Sequence, residues 1–490
     1  MISGMSKTVE RGETTRELAP FLERCFLFDA VESSYQIENI QGEIPPWLRG
    51  SYYVNGPARF QRGGLRYKHW LDGDGMVCRL HFDREAVSFA SRFVRTPKLK
   101  EEEPQDRPIY RTFGTAFPGD KLRRNVMLEP PGNVSVYPVA GKLLAFSEQS
   151  LPFELDPVTL EGRGEYDFGG SLNDVSPFSA HPKFDPASGH MVNFGISFSP
   201  TQPVLNLYEF DAQGRQLRRR RHRLQFQHSN HDFGLSRNYA IFFLSPLLMD
   251  FVKFWNEGVS VMESLRWEPE KGSRIVVMPR ESKTESPFEV AAGCGKCLHL
   301  INCFEGEGLL TVDLLELEAP VYPEYEVIPD LFSTISRCQP VRYRIDVRSR
   351  RLIDRAAMEY DRGPDFPSFD KHLIGQPYDD FWMLGISTTG EAGRKFFDQL
   401  AHGSWSRGNV ADVFQTPPGE YLAGEPIYIS NPENRDEAVI IVEHLDAGRD
   451  RAEFQLFDAA NVASGPLARL PLRHKIHPGF HTSFLRALGD

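Results

Sequence analysis

Cysteine is scarce in this chain of 490 residues: six, namely Cys25, Cys78, Cys294, Cys297, Cys303 and Cys338, at no regular spacing. That excludes a disulfide scaffold and suits a reducing compartment such as the cytoplasm. Long hydrophobic runs are also missing. The longest, Tyr239 to Met249, already contains Ser245 and Pro246 and ends at Asp250, well short of the roughly 20 residues of a membrane span. The segment before Cys25 carries Lys7, Glu10, Arg11, Glu13, Arg16 and Glu17 and offers no apolar core for a signal peptide. At most, the protein is expected to rest peripherally on a membrane face. Positive charge is in deficit, with 56 Lys and Arg against 67 Asp and Glu and a net charge of -11. No field suited to a phosphate backbone results, so nucleic acid is excluded as a partner. No protein partner is implied either. Linkers rich in Gly, Pro or Ser are absent, and the expected organisation is an amino-terminal extension, residues 1–30, followed by one domain, residues 31–490.

What the chain does have is turns and alternation. Its 40 glycines and 36 prolines exceed average usage yet stay below the roughly 25–30% of low-complexity sequence. Apolar and polar residues alternate over Tyr137 to Phe146, Val204 to Phe210, Val341 to Ile345 and Ala438 to Val442, the period of half-buried strands. An apolar residue followed by Asp recurs at Phe82-Asp83, Leu155-Asp156, Phe184-Asp185, Phe210-Asp211, Ile345-Asp346 and Phe457-Asp458. Asp at a strand end can accept hydrogen bonds from the backbone just ahead of it and so start a tight turn. Helical pattern is confined to Thr14 to Cys25, Leu247 to Leu265 and Glu391 to Leu400. The fold class is therefore all-β and antiparallel. Its edges must be closed by a barrel, a sandwich or a propeller, among which the pattern alone does not choose.

Of the 14 histidines, four have informative neighbours: His181 in Ser179-Ala180-His181-Pro182-Lys183-Phe184-Asp185, His231 in His231-Asp232-Phe233, His299 in Leu298-His299-Leu300-Ile301-Asn302, and His481 in Gly479-Phe480-His481. Each lies in or beside a strand, where side chains of one parity project to one face. Taken singly, each is more often a packed histidine than a metal ligand. Taken in order, and together with Leu48-Arg49-Gly50-Ser51-Tyr52-Tyr53, Asn55-Gly56-Pro57 and His69-Trp70-Leu71-Asp72-Gly73-Asp74-Gly75-Met76, the sequence resembles the carotenoid cleavage oxygenases almost from end to end. That group also includes stilbene-cleaving enzymes and a retinoid isomerase.

The resemblance implies a seven-bladed β-propeller with a few short helices capping a tunnel face. It implies one Fe(II) per chain on His181, His231, His299 and His481, with O2 as co-substrate and a lipophilic polyene as the molecule cleaved. Imidazole suits iron, and four neutral ligands leave the full charge of the ion on the site. Metal-bound histidines normally donate their second ring N–H to a carboxylate or carbonyl. By resemblance Glu148 would serve His231, and Glu425 would serve His481. At the position supporting His299 this chain has Asp365 where the family has glutamate. Being one methylene shorter, Asp365 is expected to need a water or a shifted strand. No residue beyond the metal centre is expected to act in catalysis.

Several other features invite assignment. His228 and His477 sit three and four residues before ligand histidines, but in strand or turn settings that favour packing. Cys294 and Cys297 have redox-pair spacing, yet no second pair accompanies them, and buried or partly buried free thiols are expected. Arg215, Arg218 to Arg221 and Arg223 read as the solvated face of an outer hairpin. Leu247, Leu248, Phe251, Phe254 and Trp255 form an apolar segment that in the family lies at a membrane-facing tunnel mouth, and a core helix is the competing expectation. The 36 phenylalanines are compatible with an aromatic-lined tunnel. The expected activity is oxidative cleavage of a conjugated C=C bond in a carotenoid or apocarotenoid. Stilbene cleavage is the alternative, lowered by Ser147 where stilbene-cleaving members carry lysine. An isomerase or carotenoid-binding protein on the same fold is the other alternative.

Overall fold

The computed structural model describes residues 19–84, 86–281, 284–320 and 331–486. Among them, seven antiparallel sheets of four or five strands form the blades of a β-propeller. The innermost strands are Thr482–Arg486, Ser135–Val139, Lys183–Phe184, Gly234–Leu235, Lys296–Gly306, Asp365–Ser368 and Glu420–Ser430. Both ends of the chain stitch the ring. Thr482–Arg486 completes the first blade by pairing with Gly50–Ala58, Val54 opposite Thr482. Gln41–Gly42 adds an edge strand to the seventh blade beside Pro466–Pro471. A closed ring leaves no inner sheet edge to aggregate.

The alternating segments fold as their period requires. Val204–Phe210 is one strand, and Val341 to Ile345 and Ala438 to Val442 lie inside Cys338–Asp346 and Ala438–Asp446. Tyr137 to Phe146 is instead a hairpin, Ser135–Val139 and Lys142–Phe146, because Ala140 and Gly141 both take positive φ, 51° and 75°. Two such residues match the right-handed twist of the flanking strands. All six apolar-Asp steps end strands. In five, the carboxylate accepts from the backbone N–H two residues on, at Val158, Ala187, Gln213, Arg348 and Ala460. Asp83 accepts from Arg84 N–H. Following strand direction around the ring puts these tight turns on one face. The long connections, 94–134 and 245–273 among them, lie on the other.

One helical expectation fails and a second is met only in part. Glu391 to Leu400 is irregular and then enters Gln399–Ser404; Gly393 within it takes φ 115°, outside the helical region. Leu247 to Leu265 is helical in part but not one continuous helix. Leu247–Met249 pairs with Leu265–Trp267 as a small ribbon enclosing a π-type turn, Lys253–Glu257, and the short helix Val261–Ser264. Of Thr14 to Cys25, Leu22–Cys25 is a 3-10 turn, and 14–18 lie outside the described residues. A six-residue helix not anticipated from sequence, Pro97–Glu102, is capped by the Thr96 hydroxyl accepting from Leu99 N–H. No described helix is long and apolar enough to cross a membrane.

The two aspartates of Asp72-Gly73-Asp74 hold the long-loop face in place. Asp72, fully buried, accepts from Gly114 N–H at 2.7 Å and the Thr115 hydroxyl at 2.6 Å. Asp74 belongs to a buried ionic quartet. Its oxygens lie 2.6 Å from the Arg62 guanidinium and 2.7 Å from Lys98 Nζ, while Glu102 lies 2.9 Å from Lys98 and 3.3 Å from Arg62. Burial alone would raise the Asp74 carboxyl, but Lys98 and Arg62 outweigh it and hold it below its usual range. Its stabilisation is thus present above the unfolded-state value of 3.8 and is lost as pH falls through the lower folded value. Lys98→Met, which strands two buried carboxylates on one guanidinium, should cost about 3–5 kcal/mol in urea unfolding at neutral pH. A loss below about 1 kcal/mol would show that the quartet does not anchor the helix.

Candidate metal centre

The innermost strands bring the four singled-out histidines together. His181, His231 and His481 immediately precede or closely approach the starts of Lys183–Phe184, Gly234–Leu235 and Thr482–Arg486, and His299 lies near the start of Lys296–Gly306. One ligand atom from each of the four lies within 4.8 Å of the others. Ring centroids run 4.3 Å from His181 to His231, 5.0 Å on to His299, 4.9 Å to His481 and 4.4 Å back to His181. The diagonals are longer, 5.5 and 6.3 Å. Four imidazoles therefore surround one point. His181, His299 and His481 are at most 5% exposed.

The outer ring nitrogens meet carboxylates. Glu148 Oε1 lies 2.8 Å from His231 Nδ1, Asp365 Oδ1 2.5 Å from His299 Nδ1, and Glu425 Oε2 3.3 Å from His481 Nδ1. A carboxylate at Nδ1 fixes the proton there and turns the Nε2 lone pair inward. Inside, His181 Nε2 and His231 Nε2 are 2.8 Å apart, and buried His299 Nε2 has no hydrogen-bond partner. Two lone pairs so close repel unless a shared proton or a cation lies between them. Nitrogens about 2.1 Å from one ion and at right angles stand about 3 Å apart. The residues present fit a metal ion held by four imidazoles.

Electrostatics agree with neutral, metal-ready rings. Burial, then the neighbouring imidazoles, push His181 well below its usual value. Burial also lowers His481, to about 4, against the opposing hydrogen bond from Glu425. His299 is the exception: burial would lower it, but the Asp365 charge and hydrogen bond prevail and raise it. Burial would raise Glu425, yet Lys371, 3.1 Å away, and His481 hold it far below the usual carboxylate range.

Asp365 reaches His299 directly, without a water, because its strand shifts. Register slips between Asp365 and Ser368, and Phe366 takes φ 53°. A non-glycine residue there is strained. The bend lets Asp365 Oδ1 accept from both His299 Nδ1–H and Phe366 N–H, the latter at 2.8 Å, and lays the Phe366 ring 5.6 Å from His299 and 5.5 Å from His481.

Other assignments resolve differently. His228 Nδ1 faces Ser245 O at 2.8 Å, and His477 faces Phe26 O while stacking on Phe28 at 3.9 Å. Both are packing histidines. Cys294 and Cys297 are free thiols; Cys297 is buried, but Cys294 is exposed rather than partly covered. Gln216–Arg223 is the outer strand of the third blade with its arginines alternately exposed, as expected of a solvated face. The apolar segment is a correction. Leu247, Leu248, Phe251 and Phe254 are at most 7% exposed, and Trp255 is half-buried. Arg111 donates to Phe254 O and Val259 O, and Trp255 Nε1–H donates to Val126 O, which turns these side chains into the loop face. They do not form a lip. Exposed Val252 is the apolar side chain that points out of this turn.

A cavity of about 470 Å3 touches His181, His299 and His481. Its walls, including Phe184, Phe369, Tyr428 and Phe484, follow the inner strands onward from the histidines, so it runs down the propeller axis toward the tight-turn face. Sequence reasoning expected an aromatic-lined tunnel without assigning it to either face. It also missed Asp232, Lys183 and Lys371. Asp232 and Lys183 stood within the quoted motifs, but nothing in a linear motif says which neighbour of a ligand turns toward the centre.

The family profile described as "RPE65: Retinal pigment epithelial membrane protein" matches residues 28–486. The chain is 30% identical over 477 residues to the apocarotenoid-15,15'-oxygenase of Synechocystis sp., spanning 92% of this chain and 94% of that protein. It is 27% identical over 454 residues to isoeugenol monooxygenase of Pseudomonas putida, spanning 90% and 93%. The solved structure of cobalt-substituted Synechocystis apocarotenoid oxygenase superposes with a TM-score of 0.89 at 26% identity, over 97% of this chain and 100% of that one.

Because Asp365 already touches His299, a longer acid has no gap to fill. Asp365→Glu should leave metal affinity at or below wild type, whereas Asp365→Ala should weaken it about 10 to 100-fold, both measured by metal titration. Tighter binding by Asp365→Glu would mean that the direct contact is not the working one.

Proposed function

The chain belongs to the carotenoid cleavage oxygenase family, and on that premise we propose that it is an Fe(II) enzyme that uses dioxygen to cleave a conjugated C=C bond of a carotenoid or apocarotenoid, giving two carbonyl products. The observation that carries this is the convergence of His181, His231, His299 and His481 on one point, all but half-buried His231 being buried. Iron bound there supplies the redox chemistry that activates dioxygen. The protein's own contribution is placement. Neutral imidazoles add no charge to the ion. Glu148, Asp365 and Glu425 aim three of the rings and raise their basicity. Burial keeps water away. These acids are engaged at ring nitrogens, with Phe366 N–H also on Asp365 and Lys371 on Glu425. That suits a cleavage in which no side chain moves a proton.

A second substrate class, a phenolic propenyl or stilbene double bond, is favoured by the similarity to an isoeugenol monooxygenase. It is opposed at Ser147, where stilbene-cleaving members carry the lysine that meets the phenol. Ser147 is buried, and its hydroxyl accepts from Gly132 N–H at 2.5 Å, so it faces its own backbone.

Iron-loaded protein should bleach an apocarotenoid only in the presence of O2, with products whose masses sum to substrate plus O2. Bleaching of isoeugenol or a stilbene instead would move the substrate class. No oxygen uptake with any of the three would make the protein a binder or isomerase. His299→Ala should abolish iron binding and turnover, while His228→Ala should keep both. Full iron occupancy in His299→Ala would overturn the ligand set.

A further inference from the structure

We infer that Asp232 is a positioning residue that sets the spacing of His181, His231 and His299; this rests on the metal centre proposed above. Asp232 is 3% exposed and adjoins His231 in the chain. Its Oδ1 lies 2.8 Å from Lys183 Nζ and accepts from Phe233 N–H at 2.8 Å; its Oδ2 accepts from Leu300 N–H at 2.9 Å. Lys183 follows His181 by two residues, and Leu300 follows His299 directly. One carboxylate thus ties together the ligand-bearing segments of the third, fourth and fifth blades.

That matters because the three segments belong to different sheets. No strand ladder fixes their separation at the axis, and the gap between ligand atoms must be set by side chains. His231, His299 and His481 are each aimed by a carboxylate at the ring. For His181 the nearest carboxylate oxygen in contact range is Asp232 Oδ1, 3.8 Å from Nδ1, beyond hydrogen-bond reach. His181 is held instead through its strand: its N–H donates to Ser179 Oγ at 3.2 Å, and the ammonium two residues on is anchored to Asp232. Loss of Asp232 therefore frees His181 to drift and leaves Leu300 N–H, beside His299, without its acceptor.

The test uses Co(II), a spectroscopic probe of imidazole coordination, titrated into the full-length apoprotein and followed by visible absorption and X-ray absorption at the cobalt edge. Asp232→Asn and Lys183→Met should each weaken Co(II) binding about 10 to 100-fold and reduce or spread the nitrogen shell. Lys183 is 23% exposed at its side chain, so its variant decides the matter if Asp232→Asn does not fold. The control is Asp313→Asn, a fully buried acid paired with Arg342 and Tyr378 away from the histidines. It should lower the unfolding midpoint yet leave affinity and spectrum unchanged. Wild-type affinity and spectrum in both test variants, or an equal loss in Asp313→Asn, would overturn the inference. Wild-type protein that binds no Co(II) would overturn the metal centre itself, and this inference with it.

Discussion

Four imidazoles pressed onto one axis form a ready-made cage for a cation, and the propeller is organised around that convergence. Each blade supplies either one of the four histidines or one of the three carboxylates at their outer nitrogens. The first gives His481, the second Glu148, the third His181, the fourth His231, the fifth His299, the sixth Asp365 and the seventh Glu425. The histidines close a ring of neighbours, and the acids reach them across blade boundaries, Glu148 from the second blade to the fourth and Glu425 from the seventh to the first. Site and fold are therefore not separable. Closing the ring places the ligands, and the ligands lie where the blades must meet.

The segment carrying His481 shows how tightly the two are joined. Asn55 N–H donates to His481 O, Phe480 N–H to Asn55 O, Glu425 N–H to Phe480 O and Gly424 N–H to Gly479 O. These bonds knit the first blade to the seventh at the point where a ligand and its carboxylate face each other. Gly479 permits the approach: a Cβ there would stand 2.6 Å from Val54 Cγ2, a distance real side chains do not reach. Charge is balanced in the same compact way. Lys371 and Lys183 meet Glu425 and Asp232, so the carboxylates around the centre are not left as uncompensated buried charge, which would be costly.

Much of this could be read from the chain. Strand period and the apolar-Asp steps gave antiparallel hairpins, because a half-buried strand and an Asp-capped turn are local events with local signatures. The histidines were legible through their neighbours and their order rather than by spacing, since residues 181 and 481 meet only after the ring closes. What escaped was irregular backbone and direction. Glu391 to Leu400 looked helical because charge and apolar residues alternate loosely there, but Gly393 takes a positive φ that interrupts any helix. The segment from Leu247 to Trp255 could be read as a tunnel mouth or as core because only its apolar density was visible, while the Arg111 and Trp255 hydrogen bonds that turn it inward come from residues more than a hundred positions away. Asp365 looked too short because the positive φ at Phe366, which brings it within reach, has no marker in the sequence.

The two faces of the propeller divide the work. Tight turns close the far face with bonds made inside each turn. The long connections on the histidine face are held by single side chains: Asp72 on Gly114 and Thr115, the Asp74 quartet on Pro97–Glu102, and Arg111 between 94–134 and 245–273. Inner strands, which carry the metal ligands, depend on none of these loops for their pairing. Loops can therefore be remodelled around an unchanged centre, provided the few anchoring residues stay. The inner strands thus determine the metal centre, while the loops above it are shaped by irregular backbone that no periodicity describes.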